Sequence, residues 1–355
     1  MIVSLQPADQ PSVSSKAFIS GCGGERLSAD ERAFFSDERP WGLILFKRNC
    51  RTRELIRELT ADFRAMVGRP DAPILIDQEG GRVQRLGPPA WPAYPPGRTL
   101  GHIAENDIES ARRAAWLHAR LIAGDLDELG ISVNCLPVLD VIAPDVSEAI
   151  GDRSFGDDPQ IVADLGRSVC EGLLDGGILP VVKHIPGHGR AKSDSHHTLP
   201  VVEADLAALV ATDLVPFAAL ADMPMAMTGH VVYDAVDANR PATTSRAVIQ
   251  GMIRQRIGFD GLLMGDDVSM DALSGDYTTR AHDTYAAGCD LVLHCNGQID
   301  EMRTIAAVAP PLVGPAGERA ARALSRRQPP QVFDRAAGRR ELLEFAAQAG
   351  WAPMS

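Results

Sequence analysis

Gly177–Pro200 reads GILPVVKHIPGHGRAKSDSHHTLP. Its first six residues form a short, continuous apolar run. The eighteen that follow, Lys183–Pro200, hold four histidines, two lysines, one arginine and one aspartate. Core packing does not ask for that composition. An apolar run ending in charges, glycines and histidines reads as a buried strand entering an active-site loop. Within the loop, Asp194 stands two residues before His196, near enough for the carboxylate to orient the imidazole.

Working outward, seven more runs of the same kind appear. They are Ala17–Ser20, Gly42–Phe46, Pro73–Ile76, Ile131–Cys135, Ala226–Thr228, Leu262–Met264 and Leu291–His294, with Leu179–Val182 fifth in chain order. Continuous rather than alternating apolar residues suit strands buried on both faces. Helical patterns lie between most of them. The clearest carries Ile108, Ala111, Ala115, Ala119, Ile122, Leu126 and Leu129 on one face, with Gly130 as a C-cap. Helices are also predicted over Pro159–Asp175, Ala204–Ala221, Ser245–Ile257 and Thr278–Ala287. Eight strand–helix units predict an α/β fold, a single (β/α)8 TIM-type barrel. The alternative is an open doubly wound sheet, but no G-x-G-x-x-G follows the first strands. No linker divides the chain. It reads as one barrel domain over 1–355, with a core of about 17–300. The tail, 301–355, is rich in Pro, Ala and Arg from Pro310 and turns helical at Ala336–Ala347.

The chain has 355 residues, 45% of them hydrophobic, and a net charge of −12. No basic block offsets that charge, which argues against a nucleic-acid partner. The apolar runs are far shorter than the ~20 residues that cross a bilayer. The N-terminal stretch MIVSLQPADQPSVSS lacks a basic n-region and an apolar h-region, so a cytoplasmic location away from membranes is expected. None of the six cysteines forms a C-x-x-C pair, and they read as buried, reduced thiols.

Polar residues cluster just after the apolar runs. Lys47-Arg48-Asn49 follows the second, Asp77 to Arg82 the third, Lys183-His184 the fifth, Gly229-His230 the sixth and Gly265-Asp266-Asp267 the seventh. In a barrel these strand ends converge on the C-terminal face, where active sites lie. Adjacent carboxylates on an extended segment point to opposite sides, so one of Asp266 and Asp267 faces the mouth. His196 has an imidazole suited to proton transfer near neutrality, with Asp194 able to fix its tautomer. Asp77 and Arg85 flank the Gly80-Gly81 turn, and Arg153 lies in the loop IGDRSFG. Carboxylates and guanidinium groups converging on one mouth supply directed donors and acceptors for a hydroxyl-rich ligand. His184, His188, His196 and His197 lie close together, but Pro186, Gly187 and Gly189 interrupt the spacing a zinc site uses. No metal is expected.

These residues resemble those of the family 3 glycoside hydrolases, and among them the NagZ-type β-N-acetylglucosaminidases (β-N-acetylhexosaminidases) of bacterial cell-wall recycling. The matching stretches are GLILFKRN (Gly42–Asn49), IDQEGGRVQR (Ile76–Arg85), PVLDV (Pro137–Val141), RSFG (Arg153–Gly156), Lys183–Pro200 and Gly261–Met270. The resemblance implies a (β/α)8 barrel and a retaining, double-displacement mechanism without a cofactor. It implies Asp266 as nucleophile, His196 as general acid/base and Asp194 as its partner. It places Asp77, Arg85, Arg153, Lys183 and His184 on the N-acetylglucosamine. The expected substrate is a small carbohydrate, an N-acetylglucosamine-containing muropeptide fragment, and a monomer is the expected form. Two departures stand out. Gly265 occupies a position where the family more often has serine or threonine. Arg190-Ala191-Lys192 follows PGHG, adding cations that could alter loop dynamics or favour an anionic aglycone. Gly187 and Gly189 are expected to act as loop hinges. The alternatives are a glycoside phosphorylase or β-glucosidase of the same family, a non-catalytic sugar-binding protein and, most distant, a metallohydrolase.

Overall fold

The computed structural model describes residues 15–143, 149–191 and 199–353. Eight parallel strands close into a barrel: β1 (Lys16–Ser20), β2 (Pro40–Leu45), β3 (Ile74–Ile76), β4 (Val133–Asn134), β5 (Leu179–Ile185), β6 (Met225–Thr228), β7 (Leu262–Asp267) and β8 (Leu291–His294). Each pairs with its neighbour in sequence, and β1 closes on β8 with Phe18 opposite Val292. All eight apolar runs are barrel strands, as predicted.

Period-two alternation sorts each strand into an inner and an outer face. Ile19, Ile44, Leu75, Val181, Met225, Leu262, Met264 and Leu293 pack inside the barrel. Leu43, Leu45, Ile74, Ile76, Val182 and Leu263 face the surrounding helices. Extending the inner rows by two residues leads out of the core and into the mouth. Leu75 leads to Asp77 and then Glu79, Val181 to Lys183, and Met264 to Asp266. The hydrophobic pattern that buries the strands thus also aims these polar side chains.

The outer helices are α1 (Ala29–Glu38), α2 (Arg53–Val67), α3 (Gly97–Ala104), α4 (Ile108–Asp127), α5 (Pro159–Asp175), α6 (Leu206–Ala211), α7 (Leu214–Ala219), α8 (Tyr277–Ala287) and α9 (Ile299–Val308). Helix α5 has the predicted bounds, set by the Asp158 side chain capping its first turn and Pro159 in that turn. The segment predicted as one helix over Ala204–Ala221 is two, α6 and α7, broken at Thr212-Asp213. Ala247–Ile257 is helical with wider, π-type turns.

The tail holds α10 (Gly314–Ser325) and α11 (Arg335–Gln348). The first was not expected, because its Ala- and Arg-rich sequence offers few large apolar residues. Its Ala320 and Ala323 close the N-terminal end of the barrel, where Arg319 bridges Asp260 and Asp290 ahead of β7 and β8. Helix α11 lies along α4, with Arg335 on Asp125 and Glu128 and Arg113 on Glu341. The opposite, C-terminal end of the barrel is left open for the site.

Candidate active site

A cavity of about 330 Å³ opens at the C-terminal end of the barrel. Ile44, Met227 and Leu293 form its floor, and Asp77, Glu79, Arg85, Arg153, Lys183, His184 and Asp266 are on its walls. Six of the eight residues expected at the site therefore meet in one place. His196 and Asp194 lie outside the described residues.

The wall after β3 and β5 is a charge network. Lys183 is 2% exposed, with its Nζ 2.8 Å from Asp77 Oδ1 and 2.6 Å from Glu79 Oε1. Arg85 Nη2 donates to Asp77 Oδ2 at 3.1 Å. Arg153 holds Glu79 in a two-pronged contact, Nε to Oε2 and Nη2 to Oε1, both 2.9 Å. Burial alone would push these carboxyl groups up and the lysine down. The opposite charges outweigh it. Lys183 and Arg85 hold Asp77 well below the usual carboxylate range, Arg153 and Lys183 bring Glu79 down to about 2, and Asp77 and Glu79 raise Lys183. All three stay ionised at neutral pH. Glu79 was not singled out in the sequence. It sits two residues after Asp77 on an extended segment, and that spacing was the available signal.

Asp140, in the stretch PVLDV, is the other group sequence reasoning missed. It is fully buried. Its Oδ2 lies 2.6 Å from His184 Nδ1, and its Oδ1 accepts the backbone N–H groups of His184 at 3.2 Å and His188 at 2.7 Å. Burial opposes the charge on Asp140, yet His184 and the hydrogen bonds bring its pKa down to about 2. An ionised carboxylate only accepts, so His184 carries a proton on Nδ1 and turns Nε2 to the cavity. Lys183 and His184, joined by a cis peptide bond, both line the mouth.

Asp266 stands apart on β7. Among the described residues it accepts one hydrogen bond, from the N–H of Asp267 at 2.8 Å, and no lysine or arginine forms an ion pair with it. Burial works against its charge, but His230, His184, that N–H bond and Lys183 leave its pKa lowered. Asp267 also borders the cavity, but its carboxylate is engaged, its Oδ1 accepting from Cys295 N at 3.1 Å and its Oδ2 from the Ser269 hydroxyl at 2.6 Å. The two carboxylates thus divide by partner, Asp267 tied to the loop and Asp266 accepting one backbone N–H among the described residues.

His230 underpins this corner. Its Nε2 donates to the Asp267 carbonyl at 2.9 Å, and its Nδ1 lies 2.8 Å from the Thr243 hydroxyl. The absence of a side chain at Gly265 makes room for that network. A Cβ there would sit 2.9 Å from Thr243 Cγ2 and 3.1 Å from Thr284 Cγ2.

Two expectations are corrected. Gly187 and Gly189 are packing glycines, not hinges. A Cβ on Gly189 would lie 1.8 Å from the Val141 carbonyl oxygen, and its own carbonyl accepts from Ala143 N at 3.1 Å. Gly187 has φ +133 and takes a hydrogen bond from the Tyr233 hydroxyl. Nor is Arg190 free for an anionic aglycone, because its Nε donates to Asp213 at 2.7 Å. Lys192 lies outside the described residues. Arg82 pins the loop around Ile150 through Asp152 at 2.9 Å and the Ala149 carbonyl at 2.8 Å. All six cysteines are buried and free. Among the described residues no group of three or more His, Cys, Asp or Glu could hold a metal ion.

Comparison with known proteins agrees with this geometry. Residues 9–314 match the glycosyl hydrolase family 3 N terminal domain. A beta-hexosaminidase of Chromobacterium violaceum is 40% identical over 292 residues, 81% of either chain. One of Bordetella avium is 38% identical over 77% of this chain and 78% of its own. Among solved structures, NagZ of Neisseria gonorrhoeae in complex with N-trifluoroacetyl-D-glucosamine superposes with a TM-score of 0.84 at 31% identity, covering 96% of this chain and all of its own. A family 3 beta-N-acetylglucosaminidase of Paenibacillus sp. gives 0.83 at 28% identity, over 93% of this chain and 66% of that one. The chain belongs to glycosyl hydrolase family 3 and is a glycoside hydrolase built on that family's barrel.

Proposed function

We propose that the protein is an exo-acting, retaining β-N-acetylglucosaminidase. The observation that carries this reading is the placement of Asp266. It is an ionised carboxylate outside any lysine or arginine ion pair among the described residues, and it faces a wall of engaged charges across the mouth of the barrel. Strands β7 and β3 lie four places apart around the eight-stranded ring, so Asp266 and Asp77 sit on opposite sides. A sugar ring spanning the mouth presents its anomeric carbon to Asp266 and its far hydroxyls to Asp77, Arg85 and Lys183. Arg153 and His184 flank it. A volume of about 330 Å³ is at the lower end of the ~300–1,000 Å³ of ligand cavities and suits one terminal sugar rather than an internal one.

In the first step Asp266 attacks the anomeric carbon while His196, protonated, gives its proton to the leaving oxygen. A covalent glycosyl-enzyme forms and the aglycone departs as an alcohol. In the second step His196, now neutral, takes a proton from water, and that water displaces Asp266. Asp194 orients the imidazole in both directions. Asp266 must be the anion to attack in the first step and departs as the anion in the second, and its lowered pKa favours both. No cofactor enters either step.

The substrate we assign is N-acetylglucosamine linked β to 1,6-anhydro-N-acetylmuramic acid and its peptides, acted on in the cytoplasm during peptidoglycan recycling. Six free buried thiols accord with a reducing compartment. Release of free N-acetylglucosamine from a 4-nitrophenyl β-glycoside, at the same rate with and without phosphate, tests the activity. A sugar 1-phosphate product would assign a phosphorylase instead. Binding of N-acetylglucosamine with no turnover would assign a sugar-binding protein.

A further inference from the structure

We propose that Arg190 and Asp213 form a positioning clamp for the general acid/base, fixing the root of the stretch that carries His196 to the turn between α6 and α7. The inference rests on the proposed role of His196.

Asp213 is 2% exposed and Arg190 is its ion-pair partner among the described residues. Arg190 Nε donates to Asp213 Oδ2 at 2.7 Å, and its Nη2 donates to the Thr212 hydroxyl at 2.7 Å. That hydroxyl in turn lies 2.6 Å from Asp213 Oδ2. A carboxylate buried this deeply requires a countercharge, so the pairing is strongly specified. The pair sits at the break between α6 and α7, where Pro216 has no N–H for the Thr212 carbonyl and stops one helix from running through.

The root is held on its other sides as well. Asp140 takes the His188 N–H at 2.7 Å, and Gly189 seats against Val141. Tyr233 ties entry to exit. Its hydroxyl donates to the Gly187 carbonyl, and its own residue pairs in register with Val202, beyond the stretch. His196 lies six residues after Arg190. Six residues reach at most ~20 Å, so the clamp sets the point from which that reach is measured. Proton transfer needs the imidazole within hydrogen-bond range of the leaving oxygen, and an error of about 1 Å costs on the order of 100-fold.

Acid assistance matters most when the leaving group is poor, so leaving-group dependence separates positioning from plain stability. Aryl N-acetyl-β-D-glucosaminides with phenol and 2,4-dinitrophenol leaving groups would be compared in Arg190→Ala, Arg190→Lys, His196→Ala and Arg190→Ala/Asp213→Asn. The double variant removes the uncompensated buried charge and serves where Arg190→Ala does not fold. The clamp predicts that kcat/KM falls about tenfold or more on the phenyl substrate and far less on the dinitrophenyl substrate. Arg190→Lys should recover part of the loss. An equal fall on both substrates, or no fall, overturns the clamp. His196→Ala must itself show the steep dependence. If it does not, the His196 assignment fails and the clamp with it. If it does while the Arg190 variants behave as wild type, the clamp alone is wrong.

Discussion

Arg153 grips Glu79 through two parallel hydrogen bonds of 2.9 Å, joining residues 74 apart in sequence into one wall of the mouth. Planar, two-pronged contacts between charged groups are stronger and more directional than neutral hydrogen bonds. Glu79 also takes Lys183, so one carboxylate sets the position of two cations assigned to the sugar.

Glu79→Ala would leave Lys183 with Asp77 alone and take from Arg153 its ion-pair partner among the described residues. Breaking one partner of a buried pair costs about 3–5 kcal/mol. Denaturant unfolding should show a loss of that size, with a raised KM where the protein still folds. Glu79→Gln, which keeps the shape, should lose less. A change under about 1 kcal/mol in Glu79→Ala, the size expected of an exposed pair, would contradict the structural account.

Asp140→Asn tests the orientation of His184. The carboxylate accepts from Nδ1 and from two backbone N–H groups, whereas an amide can turn a donor toward the ring. A hydrogen bond to a charged group is worth about 1.5–3 kcal/mol, so kcat/KM should fall roughly 10- to 100-fold. An unchanged kcat/KM would mean that His184 needs no such partner.

Much of this was legible in the chain before any coordinates. Eight apolar runs gave eight strands because a strand buried on both faces has no polar positions to blur its pattern. The polar residues after those runs gave the mouth. Glu79 and Asp140 were passed over although both lie in quoted stretches. Their significance is in Arg153, Lys183 and His184, partners 74, 104 and 44 residues away, and local spacing does not carry such contacts. The glycines misled for a related reason. Gly187 and Gly189 suggest freedom in isolation, but Val141 and Tyr233 press against them from other elements. Helix α10 escaped because it is held by Arg319, Arg322 and two small alanines rather than by a broad apolar stripe.

The buried histidines predict a pH dependence of stability. His118 donates from Nε2 to the Glu79 carbonyl at 2.9 Å, and burial pushes its pKa down to about 4. Burial, with His184, also takes His188 down to about 4. An unfolded histidine titrates near ~6.5, so between those values the unfolded chain binds more protons. The depressed folded pKa therefore contributes stability that is full above about pH 6.5 and is lost as pH falls toward 4. The melting temperature should drop across that window, and less steeply in His118→Gln. Glu79 and Asp140, both held at about 2, add a second loss as pH falls from about 4 toward 2. Equal slopes in wild type and His118→Gln between pH 6.5 and 4 would contradict the assignment of His118.

The central claim is that Asp266 forms the covalent glycosyl-enzyme, and mass spectrometry of the protein trapped with a 5-fluoro N-acetylglucosaminyl donor tests it most directly. The account predicts one added glycosyl mass per chain, on the peptide containing Asp266, and none in Asp266→Asn. A label on Asp77, Glu79, Asp267 or any other residue would contradict it, as would full activity in Asp266→Asn.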